Sequence, residues 1–145
     1  MPEPHEHAVD LIFEAINVGD EAAFHRVIGE DELLAFARLT GDWNPLHMDA
    51  GYAATSRFGE RVVHGMLVAS FFSTLVGMYL PGRRALFLSQ QVKFAHPVKV
   101  GEGLTFRGRV RHKTESVRII DVDTEAVSDS GEVKVRGTVQ VMVLP

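Results

Sequence analysis

Hydrophobic and polar residues alternate most regularly near the end of the chain. Between positions 132 and 143 one face carries Val133, Val135, Val139, Val141 and Val143, and the other carries Lys134, Arg136, Thr138 and Gln140. A period of two predicts a strand with one buried face and one face in water. Three further strand-like runs cover about residues 85–95, 103–112 and 116–127, and the spacers between the runs favour turns. We therefore expect an antiparallel meander in the second half of the chain.

The run "GMLVASFFSTLVGMYL", residues 65–80, is the most apolar stretch of the sequence. It is near the lower length limit for crossing a bilayer, and it contains serine, threonine and glycine, so we do not expect a membrane helix. A helix that is apolar on nearly all sides is typical of a protein interior. We expect this helix to be enclosed by the strands that follow it.

The first half of the chain predicts one more helix and one more strand. Acidic residues at positions 30–32 suit the positive end of a helix dipole, apolar residues then recur at helical spacing, and Gly41 ends the helix. Residues 21–28 read as a strand ended by Gly29, and residues 8–20 are a lead-in that is either a short helix or extended. The first seven residues resemble a frayed tail. Together, the predicted strands and helices form an α+β domain, with an antiparallel sheet wrapped around a long central helix.

Composition limits the classes of function. The 145 residues suit one domain, and 46% hydrophobic with 23% charged residues is typical of a globular protein. A net charge of −4 without a basic stripe argues against nucleic-acid binding. The sequence has no cysteine, which excludes disulfides and thiolate chemistry. The acidic, proline-containing start is unlike a secretory signal, so we expect a cytoplasmic location.

The stretch "LTGDWNPLHMD", residues 39–49, carries the first candidate chemistry. Five helical steps would separate Asp42 and His47 by about 140° around an axis, so a helix would drive the two side chains apart. Gly41 and Pro45 disfavour a helix and predict a loop, in which both groups can point into one pocket. The residues alone leave two interpretations open: an acid–base pair, or the polar side chains of a tight turn.

The second candidate is "VVHGMLVASFFS", residues 62–73, at the start of the apolar helix. The N–H of Gly65 at a helix N-terminus can hold a developing negative charge, although the glycine can equally serve close packing. Ser73 lies about two turns further on nearly the same face, and a serine there often bonds its own helix backbone. The histidines show no metal-binding spacing, and we interpret five of them as structural or solvent-facing: His5, His7, His64, His96 and His112. We found no motif for nucleotide or dinucleotide binding.

Together these two stretches resemble the MaoC-like, or hydratase 2, family of (R)-specific enoyl-CoA hydratases, which have the hot-dog fold. The family motif is matched by Phe36, Thr40, Gly41, Asp42, Asn44, Pro45, Leu46, His47 and Ala53. The resemblance implies a hydratase domain over residues 18–145 after an N-terminal extension, 1–17. It is strongest to short bacterial hydratases that supply (R)-3-hydroxyacyl-CoA for polyhydroxyalkanoate synthesis.

The resemblance also implies roles for single residues. Asp42 and His47 would be the catalytic pair, with Asn44 shaping the loop between them. Gly65 would donate its N–H to the thioester oxygen, and Ser73 would lie in the substrate pocket. Trp43, at a variable position of the motif, would affect the pocket wall. Each of these roles comes from the family and not from spacing.

The partners implied are an acyl-CoA substrate and a second copy of the chain in a homodimer, with no metal or other cofactor. Arg83 and Arg84 are candidates for the CoA phosphates, although a solvated turn also explains them. Two alternatives remain: a hot-dog thioesterase, and a non-catalytic acyl-thioester-binding subunit. The thioesterase is disfavoured because such enzymes often carry a carboxylate on the central helix, and residues 65–80 contain none.

Overall fold

The computed structural model describes residues 8–145, so the predicted tail with His5 and His7 lies outside the described residues. Five strands form one sheet: β1 (Glu21–Val27), β2 (Ala85–Phe94), β3 (Gly103–Thr114), β4 (Ile119–Ser128) and β5 (Val133–Val143). Their order across the sheet is β1-β3-β4-β5-β2, and every neighbouring pair is antiparallel. The helices are α1 (Glu30–Thr40), α2 (Pro45–Met48), α3 (Ala50–Ala54) and α4 (Gly65–Thr74), and a π-helical turn (Leu75–Tyr79) continues α4. Short 3₁₀ turns occupy Phe13–Ala15 and Glu115–Val117.

Helix α4 lies against the inner face of the sheet. Its buried side chains include Val68 and Phe72, and the Phe72 ring meets Phe106 of β3 edge to face. The predicted helix therefore begins where expected, and the sheet covers one side of it as an α+β fold requires. No helix in the described part of the chain is long and apolar enough to cross a membrane.

One side of α4 does not lie inside the protein. Met66 is 59% exposed, and Ser70 and Ser73 are also exposed, so a stripe of the helix faces away from the sheet. The expectation that this helix would be enclosed on nearly all sides is wrong for the single chain. The sheet covers α4 from one side only, and no other part of residues 8–145 covers the opposite face at Met66, Ser70 and Ser73.

Strand β5 largely follows the predicted period of two, although Val133 and Thr138 are only half-buried. Val135, Val139, Val141 and Val143 are buried as expected, but Lys134 is only 6% exposed. The prediction that Lys134 faces water is wrong because the segment before β3 covers it. Its Nζ lies 3.1 Å from the Glu102 carboxylate and 2.7 Å from that of Glu132.

Residues 8–17 pack against the body of the protein. Phe13 and Ile16 are buried in the core, and Lys113 of β3 donates hydrogen bonds to both of their carbonyl oxygens, at 2.9 and 2.6 Å. The N–H of Val9 donates to the carbonyl of Met78, after α4. Where the predicted extension ends stays a prediction, but its described part helps to complete the core.

Candidate active site

The segment from Gly41 to Asp49 positions the predicted acid–base pair. Helix α1 ends at Gly41, which has a φ of 80°, and Asp42 follows in an exposed loop. Asn44 then caps α2, because its Oδ1 accepts a hydrogen bond from the Leu46 N–H at 2.9 Å. The predicted loop is therefore wrong from Pro45 onward, where a proline at the first helical position is well tolerated. Since the helix begins after Asp42, it does not separate the pair.

His47 is held in one orientation by the segment that leads into α4. Its Nδ1–H donates to the carbonyl oxygen of Val62 at 2.8 Å, and the Val62 N–H donates to Leu46 at 3.3 Å. A carbonyl oxygen can only accept, so the ring hydrogen must lie on Nδ1. In the neutral ring, this leaves Nε2 bare and able to take part in proton transfer.

His64 joins this pair, which the sequence did not predict. It is 1% exposed, and its Nε2–H donates to the main-chain carbonyl of Asp42 at 3.0 Å. The His47 and His64 ring centroids are 4.2 Å apart. Of the two interpretations of His64, structural or solvent-facing, its burial excludes the solvent-facing one. Its place between the valines and the apolar helix in "VVHGML" was the signal for burial that spacing rules overlooked.

One ligand atom each from Asp42, His47 and His64 lies within 4.8 Å of the other two. Two imidazoles and a carboxylate are ligands that zinc accepts, but neighbouring ligands of tetrahedral zinc are only about 3.4 Å apart. A spread of up to 4.8 Å means that these side chains would have to close in on an ion. The same spacing suits a water molecule, which lies about 2.8 Å from each group that it bonds.

A cavity of about 280 Å³ opens beside the N-terminus of α4. Its lining includes His47, Gly65, Phe94, Arg57 and His96. The Gly65 N–H is at the first helical position, where the helix itself offers no acceptor, and it donates to no described residue. A Cβ on Gly65 would lie 3.0 Å from the Phe94 ring, so the ring packs directly on this glycine. The cavity thus combines a histidine, a free N–H and an apolar wall.

A larger groove of about 810 Å³ lies on the outer face of the sheet. Four of its charged residues pair with one another: Arg107 with Glu125 at 2.6 Å and Arg109 with Glu21 at 3.7 Å. Neither Asp42, His47 nor Gly65 lines it. Because a reaction needs unpaired groups that converge, the smaller cavity is the better candidate despite its size.

Several residues singled out in the sequence lie away from this cavity. Ser73 is exposed on the last turn of α4, about 12 Å along the axis from Gly65, and it does not line the cavity. Arg84 forms an ion pair with Asp10, and Trp43 is exposed. The roles predicted for Ser73, Arg83 and Arg84 stay predictions. The cation that does line the cavity is Arg57, whose guanidinium lies 4.8 Å from the Phe58 ring.

Lys134 holds another part of the cavity wall, at the segment 95–98. The Ala95 and His96 N–H groups donate to the Lys134 carbonyl at 2.9 and 3.2 Å, and Lys134 Nζ donates to Pro97 at 3.1 Å. Burial works to lower the pKa of Lys134, but hydrogen bonds to Glu132 and Glu102 outweigh it and raise the pKa. The hydrogen bond from Lys134 lowers the pKa of Glu132 in turn. These charges pair with one another and hold the wall in place.

Comparison with known proteins gives a consistent result. Residues 14–132 match the family model described as a MaoC-like domain. The chain belongs to this family. It is 39% identical over 124 residues to the (R)-specific enoyl-CoA hydratase of Aeromonas caviae, covering 86% of this chain and 92% of that protein. It is 36% identical over 139 residues to the enzyme of the same name from Rhodospirillum rubrum, covering 94% and 96%.

Solved structures of the MaoC-like family share the architecture. The unliganded R-hydratase PhaJ1 from Pseudomonas aeruginosa superposes with a TM-score of 0.90 at 32% identity, over 96% of this chain and 89% of that one. The predicted hot-dog fold, with an antiparallel sheet and a central helix, is confirmed. The membership predicted from the two motifs is also confirmed, because the matched region includes both of them.

Proposed function

We propose that this MaoC-like protein is an (R)-specific enoyl-CoA hydratase, which adds water reversibly to a trans-2-enoyl-CoA. One observation carries the proposal: His47 lines a cavity whose wall includes Gly65 with its free N–H, and Asp42 lies close to His47. The names of the relatives from A. caviae and R. rubrum support the same activity. Enzymes of this activity are hydro-lyases, and hydration is the reverse of the elimination for which that class is named.

The pair would handle both protons of one water. As the water oxygen attacks C3 of the enoyl group, one member of the pair accepts a proton and the other delivers a proton to C2. His47 uses Nε2, because its Nδ1–H is occupied by Val62. Since the water oxygen and the proton both reach the substrate from the side that faces the pair, addition would be syn. The (R) configuration at C3 is proposed from the names of the two relatives.

The Gly65 N–H would stabilise the thioester oxygen. Negative charge builds on this oxygen as C3 is attacked, and an N–H at a helix N-terminus contributes a hydrogen bond and a favourable dipole. Proton transfer and this hydrogen bond together meet the needs of the reaction, so the proposed mechanism uses no metal or redox cofactor. Asn44 acts indirectly, by capping the helix that carries His47.

Arg57 and His96 would meet the charged part of CoA. Both line the cavity with exposed side chains, and a cationic rim suits the phosphates of the substrate. Phe94 and the apolar wall would face the acyl group and the thioester. Arg83, the other candidate for the CoA phosphates, is exposed and lies outside the cavity.

A homodimer is part of the proposal. Strand β2 is one of the two edge strands of the sheet, and Leu86, Phe87 and Leu88 on it are all exposed. Pairing of two β2 edges would satisfy their backbone groups and cover apolar side chains, including Met66 on α4. The exposed Ser73 would then lie at the dimer interface. Light scattering should give twice the mass of the chain, and a Phe87→Glu variant should give a smaller particle.

The decisive experiment follows the absorbance of crotonyl-CoA with the purified protein. We expect wild type to remove the enoyl absorbance and produce (R)-3-hydroxybutyryl-CoA, identified by chiral analysis. Asp42→Asn and His47→Gln should each lose nearly all of this activity while keeping the wild-type melting temperature. Release of free CoA would instead indicate a thioesterase. Equal inactivity of all three proteins on short and medium enoyl-CoAs would indicate a non-catalytic acyl-thioester binder.

A further inference from the structure

His64 makes a contact that joins two parts of the site across 22 residues of sequence. Its ring lies between Phe36, at 4.8 Å between centroids, and His47, at 4.2 Å. From this position its Nε2–H donates to the carbonyl oxygen of Asp42 at 3.0 Å. The imidazole is therefore fixed by packing on two sides before it makes its hydrogen bond.

Asp42 depends on this contact more than His47 does. The other hydrogen bonds of Asp42 are local: its N–H donates to Thr40 and its carboxylate accepts from Asn44, both at 3.2 Å. Among the hydrogen bonds of the described residues, the one from His64 is the only one that ties Asp42 to a distant segment. His47 has a separate attachment, through Val62. Loss of the His64 contact should therefore move Asp42 and leave His47 in place.

The same contact fixes Asp42 relative to the oxyanion donor. His64 is the residue before Gly65 and caps α4, and its carbonyl accepts the Val68 N–H at 3.2 Å as the first helical bond. The Gly65 N–H is thus one peptide bond from the backbone that carries the imidazole. A side chain that holds Asp42 from this position also sets the distance between Asp42 and that N–H.

We infer that His64 is a positioning residue, which holds the carboxylate of Asp42 in register with His47 and the Gly65 N–H. The inference rests on the proposed hydratase function and adds a residue outside the Asp42–His47 motif. Its effect is on the alignment of groups for the transition state, and a small displacement of an aligned group can cost about 100-fold in rate. Substrate binding depends on other contacts, so KM should change little.

The stability of a His64 variant distinguishes a positioning role from a merely structural one, because of the second ring nitrogen. Nδ1 of His64 is buried and has no hydrogen-bond partner among the described residues. An apolar side chain of similar size would remove that unsatisfied group and lose one bond to an exposed loop, so the two effects on stability oppose each other. We expect His64→Leu to melt within about 4 °C of wild type. A structural residue would give the opposite pattern, with lower stability and unchanged kcat.

Three variants test the inference with crotonyl-CoA hydration. The amide nitrogen of Gln reaches about as far as Nε2, whereas that of Asn reaches only about as far as Nδ1. We expect His64→Leu and His64→Asn to lower kcat by about 10- to 100-fold with little change in KM, and His64→Gln to recover most of the loss. If His64→Leu does not fold, the comparison of Gln with Asn carries the test.

The outcomes distinguish this inference from the proposed function. If wild type hydrates the substrate and Asp42→Asn does not, the hydratase assignment holds independently of His64. In that case, full kcat in His64→Asn, or equal losses in the Gln and Asn variants, would overturn the positioning role. If wild type itself does not hydrate any enoyl-CoA, the proposed function fails first.

Discussion

Two polar clusters contribute to the same cavity, and they differ in how fully their hydrogen bonds are used. Lys134 has three N–H groups and three acceptors, on Glu102, Glu132 and Pro97. The cluster of Asp42, His47 and His64 has unused capacity. His47 keeps a bare Nε2, and the Asp42 carboxylate accepts one hydrogen bond from a described residue.

The comparison shows how to separate chemistry from support among polar residues. A saturated group has no lone pair or proton to offer a substrate, and its burial reflects stability. A group that is held firmly by one atom and left free at another is preorganised for a reaction. By this criterion the Asp42 cluster fits the reacting role that we propose for it, and the Lys134 cluster fits a supporting role.

The largest expected effect comes from the reacting cluster. Asp42→Asn and His47→Gln should each lower kcat by about 10²- to 10⁴-fold, since each removes one of two proton-transfer groups. The double variant should be little worse than either single one, because the two groups handle one water together. Steady-state hydration of crotonyl-CoA measures all three. Independent, multiplying losses would contradict a shared water.

Asp49→Asn is the matched control for this prediction. Asp49 is an exposed carboxylate in the same segment, where its Oδ1 accepts the Tyr52 N–H and caps α3. Asparagine caps helices about as well as aspartate, so this variant should keep both activity and stability. A large loss of activity in Asp49→Asn would indicate that activity depends on the net negative charge of the segment and not on the Asp42–His47 pair.

The next effect isolates the N–H of Gly65. His64 has φ −53° and ψ 127°, which suits a residue before proline, and Gly65 is at the first helical position. Gly65→Pro should therefore fold. It removes this donor and adds a Cβ beside the Phe94 ring, and kcat should fall by about 10²- to 10³-fold. Gly65→Ala keeps the N–H and adds the same contact with Phe94. Equal kcat values of the two variants would mean that the loss of activity comes from the contact with the Phe94 ring and not from the missing N–H.

Much of this arrangement could be predicted from local sequence. The period of two in β5, the apolar run of α4 and the glycine that ends α1 are local properties, and each gave the right element. That Asp42 and His47 can lie close together was predicted because Gly41 and Pro45 limit the backbone around Asp42. In the structure the helix there begins only at Pro45, so the two side chains still lie near each other although the loop is shorter than predicted. Their role as an acid–base pair stays a prediction.

The two polar clusters could not be predicted in full because both depend on distant parts of the chain. Lys134 lies at a position that the β5 pattern assigns to water, and Glu102 and Pro97 from another segment cover it. His64 meets Asp42 only after α1 and α4 have packed together. Spacing along the sequence carries no information on such contacts, although a histidine inside an apolar run does indicate burial.

A smaller effect is expected in the supporting cluster. Lys134→Met should lower the free energy of unfolding by about 1–3 kcal/mol, because Glu102 and Glu132 lose their common donor. The kcat of the folded protein should not change, since no reacting group is touched. Urea unfolding and the hydration assay measure these two quantities. The exposed Lys93 on β2 offers the control Lys93→Met, which should change stability by no more than about 0.5 kcal/mol.

The smallest expected effect is the pH dependence of the difference in unfolding free energy between wild type and Lys134→Met. The pKa of Glu132 is lowered, so its contribution is complete above the ordinary glutamate pKa and is lost as pH falls through the lowered value. The pKa of Lys134 is raised, so its contribution is complete below the ordinary lysine pKa and is lost as pH rises through the raised value. Wild type and Lys134→Met should therefore differ most across the broad neutral range and converge in acid. Solvent around the half-exposed Glu132 weakens the effect. A difference in unfolding free energy that stays constant from neutral pH into acid would show that the lysine stabilises the wall by packing and not by charge.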